Sequence, residues 1–290
     1  VADAAGSQRH VRRVRPVVSL INVVSRFDPD FAPRAQNAIT RRLYEFVNRH
    51  GAETGITVMN YGYAPLGEAR IPEFALRPED EDERTGFQLY YTVANAIDLS
   101  ARDVLEVGCG RGGGAAFVSR HLSPRSLTGI DFSDGAINYC ASHHIGDGLR
   151  FLKADAESLP FPEQSFDVVM NIESSHTYPH VDRFLAEVHR VLRPSGHLLF
   201  ADFRPSSEVS LLREQISNAG FVVLEEERIT DHVVHARDLD LQRSQDVIHR
   251  SVPRPLRFFA REFFAIEGSE TYAEFRSGKR ECLRFVLQKP

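Results

Sequence analysis

An α/β protein built on a parallel sheet wrapped by helices is the fold class this sequence predicts, and three observations predict it. From Asp103 onward, short β-branched or apolar runs alternate with segments of helical spacing, the pattern of strands joined by crossover helices. The first such run opens into the five glycines of "VLEVGCGRGGG", a strand-to-helix turn of the kind that approaches a nucleotide. Acidic residues then close two later runs, at the carboxyl ends of strands, where open parallel sheets bind their ligands.

Taken in order, the elements justify that class. The chain has 290 residues, 42% hydrophobic and 26% charged, enough for a sizeable core, and reads as one domain with insertions. Residues 1–37 are Arg-rich and irregular and read as an arm. In "NAITRRLYEFVNRHG", Ile39, Leu43, Phe46 and Val47 share one helical face, which Gly51 stops. "MNYGYAPLG" and the acidic "LRPEDEDERTG" follow, the latter read as a solvated loop. Phe87, Tyr90, Tyr91, Ala94 and Ile97 then restore helical spacing. Strands are predicted at 104–107, 127–130, 149–153, 166–172, 197–201 and 221–225, with a last one in "CLRFVLQKP". Between the fourth and fifth, Val181, Phe184, Leu185, Val188, Val191 and Leu192 keep a 3.6-residue spacing that "RPSG" ends. The expected organisation is an arm and helical cap over 1–86, a cofactor-binding core over 87–229, a cap insertion over 230–280 and a final core strand over 281–290. Phe258, Phe259, Phe263 and Phe264 in the insertion suggest a pocket wall or a packing stripe.

Composition excludes several classes of partner. A formal charge of −5 gives no broad basic surface for nucleic acid. Cys109, Cys140 and Cys282 are odd in number and far apart, so no disulfide framework is expected and a cytoplasmic setting is. No apolar run approaches the ~18 residues of a membrane helix. The basic "RHVRRVRPVVSLINVVSRF" is broken by Pro16, Asn22 and Arg26 and does not read as a signal peptide.

The glycine turn satisfies two cofactor patterns. Gly108, Gly110 and Gly113 fit the G-x-G-x-x-G of a dinucleotide site, whereas Glu106, Gly108, Gly110 and Gly112 fit the E-x-G-x-G-x-G of an S-adenosylmethionine site. Glu106 separates them. A carboxylate ahead of the turn repels a pyrophosphate but attracts a ligand carrying a sulfonium and an ammonium. Asp131 ends the second strand where ribose hydroxyls would be accepted by either cofactor. Asp155 and Ala156, after the third strand, are placed for an adenine amino group, although Asp155 alone also reads as a helix N-cap. The joint placement favours S-adenosylmethionine.

With those residues in view, "VLEVGCGRGG", "LTGIDFS", "ADAESLPFPEQSFDVV" and "EVHRVLRPSGHLLFAD" resemble successive motifs of class I S-adenosylmethionine-dependent methyltransferases, over roughly residues 87–229. The resemblance implies a Rossmann-like sheet of seven strands with an antiparallel last strand. It implies that Glu106, Gly108, Gly110 and Gly112 surround the methionine moiety, that Asp131 and Phe132 meet the ribose, that Asp155 and Ala156 meet the adenine, and that Asn171 closes the fourth strand. "NIESSHTYPH" and "MNYGY" further resemble bacterial enzymes that O-methylate lipid or polyketide hydroxyls, such as the phthiotriolone and phenolphthiotriolone dimycocerosate methyltransferases. Sterol C-methyltransferases have Glu-Ala-x-x-His at the same place.

Methyl transfer from a sulfonium is an in-line displacement, so an acceptor must be held near the methyl with water excluded. A hydroxyl must lose its proton as it attacks, and His176 is the expected general base, with Glu173 to orient its ring or bind the acceptor. Tyr61, Tyr63 and Tyr178 are candidate acceptor contacts, or packing aromatics of the cap. They also keep open C-methylation of an alkene, which needs carboxylates and aromatic faces around a carbocation. Glu173, His176 and His180 form E-x-x-H-x-x-x-H, but a loop need not set all three on one face, and no metal is expected. A non-catalytic binding module would show a damaged turn or missing strand-end acids, and neither is seen. The expected partner is a small apolar, polyketide or lipid acceptor of secondary metabolism.

Overall fold

The structure is a computed structural model that describes residues 56–67 and 74–290. The Arg-rich arm and the helix expected around Ile39–Val47 lie outside the described residues. Helix α1 (Arg84–Ala94) leads into β1 (Asp103–Val107), α2 (Gly113–His121), β2 (Ser126–Asp131), α3 (Asp134–His143) and β3 (Leu149–Lys153). Then come β4 (Phe166–Ile172), α4 (Val181–Val191), β5 (Leu192–Pro205), α5 (Val209–Asn218) and β6 (Val222–Arg228). Four helices follow, α6 (Thr230–Leu239), α7 (Leu241–Ser251), α8 (Arg257–Phe263) and α9 (Glu270–Arg276), before β7 (Arg280–Gln288).

The seven strands form one sheet in the order β3-β2-β1-β4-β5-β7-β6, with β7 antiparallel to both its neighbours. This is the seven-stranded topology with an antiparallel last strand that the motifs implied. Period-two alternation sends neighbouring side chains to opposite faces. Val104, Val168, Met170 and Leu199 pack with Phe87, Leu89 and Phe117 of α1 and α2. Leu105, Val169, Leu198 and Phe200 pack on the other face with Phe184, Leu185 and Val188 of α4 and Leu212 of α5. Each such fully buried side chain contributes about 1.5–3 kcal/mol. The chain passes from β1 outward to β2 on one side and returns to β4 on the other, so a crevice opens at the carboxyl ends of β1 and β4.

Two expectations need correction. The acidic stretch is not a solvated loop: Pro78–Glu83 forms a 3-10 helix, and Asp80 and Glu83 are buried. Asp80 accepts from Arg77 and Arg120, while Glu83 accepts from the N–H of Thr57 and Val58 and pairs with Arg243, which offsets the desolvation of both carboxylates. The fifth strand is also much longer than 197–201. It begins directly at the end of α4 and runs past Ala201 to Pro205, carrying Asp202 beyond the edge of β4. Among the described residues, no helix is long and apolar enough to cross a membrane.

Candidate active site

At the glycine turn the backbone reverses through left-handed residues, Gly108 at φ 79° and Gly112 at φ 75°. A Cβ on Gly108 would lie 2.3 Å from Ser174 Oγ and 2.9 Å from Tyr178 Oη. Gly108→Ala therefore combines a left-handed cost with overpacking, together about 2–5 kcal/mol. Gly67→Ala, at φ 63° with nothing within 4 Å, should show the backbone cost alone. Equal shifts of the denaturation midpoint for both variants would remove the close-packing argument.

The turn spends its N–H groups inside the protein. Gly108 and Cys109 donate to the Ile130 carbonyl at 2.8 and 2.9 Å, Gly112 to Cys109, Gly113 to Thr57, and Gly110 to Asp131 Oδ2 at 3.0 Å. These five are not offered to a ligand as the sequence suggested, and a pyrophosphate would lack them as donors. The carboxylates stand differently. Glu106 is fully buried, its Oε1 accepts from Tyr90 Oη at 2.6 Å, and its Oε2 has no partner among the described residues. Burial, with Asp131 adding, raises its carboxyl to about 7 in spite of the Tyr90 hydrogen bond. An orphaned buried carboxylate oxygen beside the turn fits a cationic ligand group.

Asp131 Oδ1 accepts from the N–H of Ser133 at 2.9 Å, so its carboxylate is fixed at the end of β2 with half-buried Phe132 next to it. Asp155 is exposed just past β3, beside Ala154, whose N–H donates to the Asp131 carbonyl, and half-buried Ala156 packs against the core cluster of Leu105 and Phe184. Asp155 caps no helix: its Oδ1 accepts from Glu157 N–H in a tight loop. Asn171, at the end of β4, donates to the Val107 carbonyl, Ser174 and Tyr178, and its Oδ1 is buried without a partner among the described residues.

His176 sits in a short 3-10 turn after β4, its side chain 25% exposed. Its Nδ1 lies 2.8 Å from Asp202 Oδ1, and its own N–H donates to Asp202 Oδ2 at 2.9 Å. Asp202 is fully buried, which alone would raise its carboxyl. The charges of His176 and Arg204 and the hydrogen bonds of His176 and Ser175 outweigh that and hold it well below the usual carboxylate range. An ionised carboxylate only accepts, so Nδ1 carries a proton, and in the neutral form of the ring the lone pair is on Nε2. The imidazole ring rests 4.0 Å from Phe203, whose ring meets Tyr61 at 5.2 Å and Phe275 of α9 at 5.8 Å.

Glu173 does not orient His176; Asp202 does. At φ 48° Glu173 turns its side chain away, and its Oε2 accepts the N–H of Tyr61 at 2.8 Å. Burial first, then Asp202, raise its carboxyl to about 8 against the Tyr61 N–H and Arg237. Of the three tyrosines, Tyr61 joins the aromatic group at the histidine, through Phe203. Tyr63 stacks on His232 at 4.4 Å, and half-buried Tyr178 bonds Ser174 at 2.8 Å beneath the glycine turn. Asp202 was the residue missed. It stands in the quoted "LLFAD" as an acid at a strand end, the same signal that marked Asp131.

Across this crevice lies a strap, residues 56–64. Its Ile56 carbonyl accepts from Arg111, its Thr57 carbonyl from Gly113 N–H, and its Tyr61 carbonyl from Arg237 Nε of α6 at 2.6 Å. Ala64 N–H donates to the His232 carbonyl.

A switch-point crevice with an orphaned carboxylate at the glycine turn, two further strand-end acids and a carboxylate-held histidine defines an S-adenosylmethionine-dependent methyltransferase of class I. A family model described as a methyltransferase domain matches residues 105–200. The chain is 41% identical over 234 residues to the phthiotriol/phenolphthiotriol dimycocerosates methyltransferase of Mycobacterium leprae, covering 81% of this chain and 86% of that one. It is 35% identical to the fatty-acid O-methyltransferase of Mycolicibacterium smegmatis, covering 92% and 94%. The chain belongs to this methyltransferase family. Among solved structures, the [4+2]-cyclase SpnF matches with TM-score 0.65 at 21% identity over 86% of this chain and 94% of its own, and the geranyl diphosphate C-methyltransferase of Streptomyces coelicolor with 0.58 at 15% over 85% and 98%. These two share the fold.

Proposed function

We propose that this enzyme O-methylates a hydroxyl or carboxyl of an apolar lipid or polyketide acceptor, with His176 as general base. The observation that carries the reading is the His176–Asp202 pair facing an aromatic wall of Phe203, Tyr61 and Phe275. S-Adenosylmethionine supplies an electrophilic methyl group. Glu106 and Asp131 would hold its ammonium and ribose and Asp155 and Ala156 would flank its adenine, while Asn171 steadies Ser174 and Tyr178 under the turn. Asp202 fixes the imidazole, Nε2 takes the acceptor's proton during attack, and the aromatic wall excludes water. The relatives named for phthiotriol lipids and fatty acids support an acceptor of this kind. Glu173 spends its Oε2 on the Tyr61 N–H, and burial favours its neutral form by raising it to about 8, which supports O-methylation over C-methylation. Incubation with S-adenosylmethionine and a panel of hydroxy-lipids and fatty acids should give a product carrying one added methyl on oxygen. A methyl found on carbon would overturn the reading.

The same placement of Glu106 predicts a proton linkage. A folded carboxyl at about 7, above its ordinary 4.5, keeps its proton in the ligand-free enzyme as the pH rises through that window. The ligand-free enzyme therefore loses stability between those values, and a cationic ligand favours the ionised form. Affinity for S-adenosylhomocysteine should fall about tenfold per pH unit below 7 and level off above it, with a proton released on binding. Calorimetry in buffers of different ionisation enthalpy measures this. A flat profile in the wild type, equal to that of Glu106→Gln, would move the ammonium elsewhere.

A further inference from the structure

We propose that α8 and the turn before it form a docking surface for an anionic lipid bilayer. In a chain of net charge −5, residues 247–261 contain Arg250, Arg254, Arg257 and Arg261 and no Asp or Glu. Among the described residues, none of the four forms an ion pair. Arg257 donates to the carbonyls of Val252 and His249, Arg261 to that of Glu267 and Arg250 to that of Asp246, while Arg254 is exposed. Between the arginines stand Phe258 and Phe259, 47% and 38% exposed, their rings edge to face at 5.7 Å. Among the described residues, neither belongs to the packed core, one of the two roles the sequence suggested for them.

Exposed aromatics ringed by uncompensated arginines match one surface chemistry. Arginines are attracted to acidic headgroups, and phenylalanines bury in the acyl boundary. The basic ring also argues against a second copy as occupant, because two identical patches would bring like charges together. The location carries the idea further: α8 packs on α9, and α9 supplies Phe275 to the wall beside His176. The inference does not depend on which acceptor is methylated, since it concerns the surface alone and is read without turnover.

The test is co-sedimentation of the full chain with vesicles of phosphatidylcholine alone or mixed with phosphatidylglycerol. The protein should bind the anionic vesicles, weaken with added salt, and ignore phosphatidylcholine. Phe258→Ser with Phe259→Ser should lower the partition constant by about tenfold or more, and Arg254→Gln by about fivefold, with S-adenosylhomocysteine binding unchanged as the folding control. Absence of binding to anionic vesicles overturns the proposal, as does retention of binding by the double phenylalanine variant. Self-association that the double variant abolishes, with no vesicle binding, assigns the patch to a second copy instead.

Discussion

His176→Ala should lower kcat by roughly 10²–10⁴-fold while leaving the affinity for S-adenosylhomocysteine nearly intact. The size follows from the work assigned to the ring. A hydroxyl that keeps its proton is a poor nucleophile, and Nε2 is the proposed base, with Nδ1 facing Asp202 at 2.8 Å. The ring is partly exposed and adds little to the core, so the loss should appear in turnover and not in folding. Single-turnover rates with a saturating acceptor measure it. Wild-type rates in the variant would leave positioning as the whole of catalysis. Glu173→Gln is expected to retain turnover, because burial already favours the neutral carboxyl, raising it to about 8. A dead Glu173→Gln enzyme whose wild type forms a carbon–carbon bond would restore the C-methylation reading.

Asp202→Ala carries the largest stability effect. The carboxylate is fully buried and receives the His176 ring, the N–H groups of His176 and Phe203, the Ser175 hydroxyl at 2.6 Å and Arg204 at 3.2 Å. Removing it strands the Arg204 guanidinium in a buried position, where an unpaired charge costs about 3–5 kcal/mol. At about 2–4 °C per kcal/mol for a chain of this order, Tm should drop by about 10 °C. The pH dependence has a definite sign. A depressed folded carboxyl contributes stability above its unfolded value, which is lost as the pH falls from there toward the lowered folded one. The wild type should therefore lose its advantage over Asp202→Ala in strong acid, as seen in melting curves taken down the acid limb. A constant difference in Tm at every pH would show that the lost charge was not the cause.

Much of this site was legible because its residues obey local rules. Glu106 and the glycines announce themselves by spacing, Asp131 and Asp155 by standing where strands end, and His176 by following the fourth strand. What escaped depended on contacts between distant segments. Asp202 lies 26 residues from the histidine it holds, and only the parallel pairing of β4 with an unexpectedly long β5 brings them together. Glu173 was read as its partner because it is three residues away, and a left-handed backbone at that one position sends it elsewhere. The acidity of "PEDEDE" suggested water, yet Thr57, Val58, Arg120 and Arg243 reach Asp80 and Glu83 from other parts of the chain.

The strap has a consequence for how the two substrates feel one another. Its first residues are tied to Arg111 and Gly113 at the glycine turn, its middle to Glu173 and to Arg237 of α6, and its far end to His232 of α6. Were methyl donor and acceptor both to favour the seated strap, each would lower the cost of seating it for the other, and the two would share one coupling free energy. By reciprocity the acceptor would then tighten the donor by the same factor that the donor tightens the acceptor. Selection acting on either affinity through these nine residues would thereby be selection on both.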